Sequence, residues 1–378
     1  MTGKERMLIA MQNGQPDRVP CAPDISTMIP ERLTGKPFWE IELHGNPPLW
    51  KAYIDAVPYF GIDAWFIYGG LSYIYADAQI QTTRSIVSQT EERIVVAFTH
   101  STPAGDLHGE TTYFAADSAS PTGKIVKNLE ADFAKLKFLY PEIAGYDAAT
   151  FEAMRAEVGD LGAFGATVTY PGFQTWYTMV QGGLEDLTYA YYDNHDLIEE
   201  WREMEHRRAV RIMELTLDAR PDFVFLGGSG SITLQSPKLF RELSLPSIKV
   251  MTRMAKEAGI PTMLHSCGKE CALVEMCANE TDLNCANPVE VPPMGDCDLA
   301  ELKRTFGHRM AFMGNLHTTD VMLRGTVDAV ERAAKRCIDD AAEGGGFILS
   351  TGDQCGRDTP DENIFKLVEV CKTYGRYR

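Results

Sequence analysis

The feature that most constrains this 378-residue chain is an alternation, repeated eight times, of a short apolar segment with a longer helical stretch. The apolar segments are Arg18–Ile25, Asp63–Tyr68, Ala163–Tyr170, Asp222–Leu226, Pro261–His265, Asp282–Ala286, Arg309–Met313 and Phe347–Ser350. Several, such as Phe223–Leu226, are apolar at successive positions rather than at every second one. That pattern suits strands buried on both faces, as in a parallel sheet covered by helices. Eight strand–helix units in one chain of this length predict a single (β/α)8 barrel domain over residues 1–378. An open doubly wound sheet is the alternative, but no Gly-x-Gly-x-x-Gly opens a helix after the first strand. Residues 80–114 break the alternation: they are β-rich with polar turns and predict an inserted antiparallel segment.

A barrel of this kind places its active site at the C-terminal ends of its strands. His265 and Cys267 end the fifth apolar segment, and a two-residue spacing in extended chain points both side chains the same way. Cys355 follows the eighth segment. An imidazole and two thiolates around one ion, with a fourth place open, is the arrangement of a catalytic zinc site. Glu290 follows the sixth segment and is a further ligand candidate, with Asp353 behind it. Asn315 and His317 follow the seventh. His317 is placed for proton transfer, or is a loop histidine at the surface.

Charge narrows the partners. The chain carries 36 lysines and arginines against 53 acids, a net charge of −17, which disfavours nucleic acid and anionic membranes. There is no apolar run long enough to span a bilayer and no signal-peptide core, and nine cysteines are an odd number. A reduced, cytoplasmic protein is expected.

The segments Ser236–Phe240, His265–Gly268, Asn287–Glu290, Gly314–Asn315 and Thr359–Asn363, with Pro16–Pro20 near the start, resemble the uroporphyrinogen decarboxylase superfamily. The resemblance runs over nearly the whole chain and implies a (β/α)8 barrel. Its decarboxylases carry an Arg-Gln-Ala-Gly-Arg loop near the N-terminus, and the corresponding Asp24–Met28 has no such motif. Its other branch, the corrinoid-dependent methyltransferases, carries His-x-Cys and a distant Cys and binds zinc. His265, Cys267 and Cys355 match that pattern. The resemblance therefore implies zinc at these residues, and a methyl group moved to or from the cobalt of cobalamin. No Asp-x-His-x-x-Gly corrinoid signature occurs here, so the cobalamin is expected on a separate corrinoid protein, with this chain a monomer or homodimer.

The direction of transfer is read from aromatic residues. Tyr170, Trp176 and Tyr177 end or follow the third segment, and Phe66 and Tyr68 share a face of the second. Facing the mouth, they would form a flat pocket for a methoxylated aromatic ring, with His317 assisting the leaving oxygen and Glu290 and Asn315 beside it. O-demethylation is the favoured expectation. Methyl transfer from the corrinoid to a thiol is the alternative, and uroporphyrinogen decarboxylation a further one.

Overall fold

The computed structural model describes residues 1–377. Its strands in chain order are β1 (Ala64–Gly69), β2 (Ser72–Tyr75), β3 (Gln81–Gln89), β4 (Arg93–Thr102), β5 (Gly105–Phe114), β6 (Ser120–Gly123), β7 (Ile143–Asp147), β8 (Gly162–Thr169), β9 (Phe223–Gly227), β10 (Thr262–His265), β11 (Cys285–Asn287), β12 (Ala311–Leu316) and β13 (Phe347–Thr351). Seven of them form a parallel sheet in the order β1-β8-β9-β10-β11-β12-β13. Each neighbour is the next of these strands along the chain, and helices fill most of the crossovers.

The first apolar segment is not a regular strand. Only Cys21 bridges the sheet, opposite Leu349 of β13. Pro20 and Pro23 have no N–H to give to a ladder, so the pairing shrinks to a few bonds. Ala22 N–H donates to Leu349 (2.9 Å), Leu349 N–H donates to Pro20 (3.0 Å), and Asp63 N–H, just before β1, donates to Cys21 (2.8 Å). Residues 20–22 thus bond to β13 on one side and to the residue preceding β1 on the other.

The strands are buried on both faces, which is why their sequences run apolar. One face packs Trp65, Ala163, Phe223, Phe225, Met263, Cys285, Ala311, Met313 and Ile348 into one cluster. Met7, Ala10 and Met11 of the helix Gly3–Met11 join it. The other face, with Phe66, Phe164, Val224, Leu226, Leu264 and Phe312, packs beneath the surrounding helices. His265 and Asn287 follow the period-two pattern of Met263 and Cys285, so they continue the first face at the C-terminal ends of β10 and β11.

Strands β3–β6 form a separate antiparallel sheet over Gln81–Gly123. It is longer than the 80–114 expected, because Ser120–Gly123 pairs with β5. A second antiparallel pair, β2 with β7, has no counterpart in the sequence reading. A side core lies beside the β sheet, where Phe133, Trp176, Leu187 and Trp201 are buried together with Leu107 of β5. Among the described residues, no helix is long and apolar enough to cross a membrane.

Candidate metal centre

The centre is built on strand register. β10 pairs with β11 so that His265 stands opposite Asn287. His265 Nδ1 and Asn287 Oδ1 are 2.7 Å apart. The Asn287 amide nitrogen donates to the Met313 carbonyl (3.3 Å), so its oxygen is the atom turned to His265. An oxygen can only accept there, so His265 Nδ1 carries the hydrogen. His265 Nε2 is left with its lone pair, the tautomer required of a metal ligand. It faces Asp353 Oδ1 at 3.9 Å.

One donor atom each of His265, Cys267 and Asp353 lie within 4.8 Å of one another. Tetrahedral ligands on zinc, with bonds of about 2.0–2.3 Å, sit about 3.3–3.8 Å apart. The donor set is therefore close to what one ion needs, and small side-chain movements would complete it. An imidazole, a thiol and a carboxylate suit zinc chemically. Burial pushes the Cys267 thiol up to about 12, with the charges of Asp353, Glu290 and Glu270 adding to it. A site that crowds acids around a thiol favours a cation, which would reverse that effect.

The third ligand expected from the sequence, Cys355, is outside this group of donor atoms. It does follow β13, but its loop is tied back: Cys355 N–H donates to the Asp24 carbonyl (2.8 Å). The thiol is wholly buried, and burial pushes it up to about 12. Asp353, two residues earlier, stands beside His265 instead.

Glu290 is buried at the same place, and its carboxylate accepts the Gly268 N–H. Gly268 has φ +87°, and a Cβ there would lie 2.3 Å from Thr233 Oγ1, so glycine is needed for this close turn. Asp24, which has no role in the sequence reading, is buried here too. Burial holds its carboxyl above the ordinary carboxylate range, and the nearby His265 acts in the opposite sense.

The other sequence-derived residues are dispersed. Asn315 is a fastener: its side-chain nitrogen donates to the Val289 carbonyl (2.9 Å), holding the loop after β11. His317 Nδ1 accepts from the N–H groups of Thr319 (3.2 Å) and Asp320 (3.0 Å), capping the following turn. Its buried Nε2 lies 3.8 Å from Asp320 Oδ2 and has no hydrogen-bond partner. Tyr170 is buried after β8 with its hydroxyl 2.7 Å from Ser231 Oγ. Phe66 stacks on Phe164 beneath the helices, and Tyr68 packs on Phe66 and Tyr53 with its hydroxyl bonded to the Ser26 carbonyl. Trp176 lies in the side core, stacked on Trp201 with ring centroids 4.5 Å apart, its N–H donated to Glu205 (2.6 Å). Tyr177 packs against the same core.

The family model for uroporphyrinogen decarboxylase (URO-D) matches residues 119–374, about two-thirds of the chain and the whole of the centre. The chain belongs to the uroporphyrinogen decarboxylase family. Within it, the chain is similar to the methylated-thiol–coenzyme M methyltransferase of Methanosarcina mazei, 28% identical over 144 residues, which cover 38% of this chain and 35% of that protein. It is also similar to the methylcobamide:CoM methyltransferase MtaA of Methanosarcina barkeri, 27% identical over 180 residues, 47% of this chain and 50% of that one. The matched stretches thus span half or less of these curated relatives. A solved methyltransferase from Methanosarcina mazei shares the fold over 99% of both chains, with a TM-score of 0.66 and 20% identity.

Asn287 has a positioning role that the sequence did not announce. Asn287→Ala frees the His265 ring and should weaken metal binding at this group about 10–100-fold, measured by competition with a chromophoric chelator. Asn287→Asp keeps the acceptor and should restore most of the affinity.

Proposed function

We propose that this chain is a zinc-dependent methyltransferase that moves a methyl group from the cobalt of a corrinoid, carried by a separate protein, to a small thiol. The observation that carries this reading is the group of His265, Cys267 and Asp353 at the strand ends, with His265 Nε2 left free as a ligand by Asn287. The activities of the relatives, methyl transfer between methylated thiols or methylcobamide and coenzyme M, support it. In the same reading residues 20–22 complete a closed (β/α)8 barrel, whose mouth carries the site.

His265 and Cys267 would hold the zinc, with a third donor from the loop after β13. Asp353, with an oxygen 3.9 Å from His265 Nε2, is the nearer candidate, and Cys355 is two residues away. A zinc ion there would supply Lewis-acid chemistry that makes a substrate thiol acidic. Asn287 keeps the imidazole oriented. Glu290, fixed by the Gly268 N–H, is the acceptor for the thiol proton. The corrinoid would supply the methyl group and keep the electron pair of its cobalt–carbon bond, while the thiol sulfur would supply the pair of the new carbon–sulfur bond.

O-demethylation of a methoxylated aromatic loses its motive here. It rested on a flat pocket of aromatic side chains, but Trp176 and Tyr177 pack into the side core and Phe66 packs beneath helices. His317 Nδ1 is also occupied in capping.

The test uses purified, zinc-loaded protein without oxygen, methylcobalamin as methyl donor, and a panel of small thiols. Loss of the methylcobalt absorption should require protein, zinc and thiol together. If no thiol is methylated, while cob(I)alamin gains a methyl group from a methoxybenzene, the direction proposed here is wrong.

A further inference from the structure

A second group of donor atoms lies behind the first. The helix Cys271–Glu280 begins where the loop after β11 brings in Asp296 and Cys297. The Cys271 and Cys297 sulfurs are 3.8 Å apart. Cys271 S–H donates to the Asp296 carbonyl (3.1 Å), and Asp296 Oδ1 is 3.8 Å from the Cys297 sulfur. The same Asp296 oxygen accepts the N–H groups of Glu270 (2.8 Å) and Cys271 (3.0 Å), which fixes the carboxylate. One donor atom each of Cys271, Asp296 and Cys297 lie within 4.8 Å of one another.

Two further facts point to a ligand. Glu270, which directly precedes Cys271, is wholly buried, and its Oε1 has no hydrogen-bond partner. A buried carboxylate with an unsatisfied oxygen beside a second acid and two thiols is costly unless it takes up a proton or a cation compensates it, and a cation would answer all four groups at once. A surface hollow of about 530 Å³ opens onto Cys271 and Asp296, lined also by the acids Glu275, Asp298 and Glu301, with Cys297 buried behind them.

We propose that Cys271, Cys297 and Asp296 form a second metal site, structural in role, for a thiophilic divalent cation such as zinc. Two thiolates and one carboxylate oxygen are a borderline-soft donor set that selects zinc or cadmium over magnesium or calcium. Both thiols give their protons to solvent as two sulfur–metal bonds and one oxygen–metal bond form, and water from the hollow takes the fourth place. The bound ion would pin residues 291–297 to the start of the helix. Glu290 N–H donates to Glu270 Oε2 (3.2 Å), so the same linkage would steady the loop that carries Glu290.

The experiment is a cadmium titration of the reduced, metal-free full chain without oxygen, following thiolate-to-metal absorption in the near ultraviolet. The unaltered chain should take up two equivalents. A Cys271→Ser, Cys297→Ser variant should lose one of them and keep the one that a His265→Ala, Cys267→Ala variant loses. If only the second site binds, the single equivalent will vanish with Cys271 and Cys297 alone, which separates failure of the first centre from failure of this proposal. Should the double-serine variant not fold, alkylation of Cys271 in the unaltered chain, mapped by mass spectrometry, should slow at least about tenfold with zinc present. Uptake unaffected by the Cys271 and Cys297 changes, alkylation indifferent to zinc, or a disulfide between the two cysteines that forms equally fast with zinc in excess would each overturn the proposal.

Discussion

A His265→Ala, Cys267→Ala variant should keep its fold, lose the zinc equivalent of the first centre, and transfer methyl groups at least about 1,000-fold more slowly, a loss of about 4 kcal/mol in transition-state stabilisation. Two of the three gathered donors disappear together, and Asp353 alone, partly exposed at the start of its loop, is a poor zinc site. Far-ultraviolet circular dichroism should be unchanged, because both side chains lie beyond the strand interior that packs Met263 and Leu264. Zinc content by elemental analysis and single-turnover demethylation of methylcobalamin are the two readouts. Retention of that zinc, identified as the equivalent insensitive to changes at Cys271 and Cys297, would remove the metal from these residues.

The second large effect concerns stability. Asp63→Ala should destabilise the chain by about 3–5 kcal/mol. Asp63 is buried just before β1. Its carboxylate accepts from Arg6 Nη1 (2.5 Å), from both terminal nitrogens of Arg18 (2.8 and 3.1 Å), and from the Cys21 N–H (2.9 Å). Removing it leaves two guanidinium groups in a mostly buried place, one of them still held by Asp17. It also removes one of the two bonds between residue 63 and Cys21, leaving only the main-chain bond from the residue 63 N–H. Asp24 follows directly and accepts the Cys355 N–H, so the loop beside the metal centre should loosen as well. Urea unfolding followed by tryptophan fluorescence measures the change. A loss under about 1 kcal/mol would mean that these charges are solvated and contribute no more than a surface pair.

How much of this was legible in the sequence depends on how local each feature is. The strand–helix alternation is a short-range pattern, and seven of the eight expected apolar segments are strands of one parallel sheet. The eighth, around Cys21, is reduced to single bonds by its prolines. His265 and Cys267 were legible because an alternating strand end carries both on one face. Asn287 was not, because its role comes from being opposite His265 across two strands, a register the sequence does not state. Asp353 and Cys355 differ by two residues in one loop. Which one turns towards His265 depends on a main-chain bond from Cys355 to Asp24, more than 300 residues earlier. Trp176 misled for a related reason: it does follow a strand end, but the helix His195–Ala219 supplies Trp201 as a stacking partner and Glu205 as an acceptor. Burial pushes the Glu205 carboxyl up to about 7. A large aromatic ring is stabilised more by that contact than by facing an open mouth.

The central claim is a zinc ion on His265 and Cys267 with an open place for a substrate thiol. Zinc K-edge X-ray absorption tests it most directly, on protein carrying zinc only at this centre, with Cys271 and Cys297 changed to serine. At rest the spectrum should show a histidine nitrogen with one sulfur if Asp353 completes the set, or two if Cys355 does. Adding a small thiol that accepts methyl groups should bring one more sulfur at about 2.3 Å and displace an oxygen. A zinc environment that does not change with saturating thiol, or one without a sulfur at rest, would contradict the account.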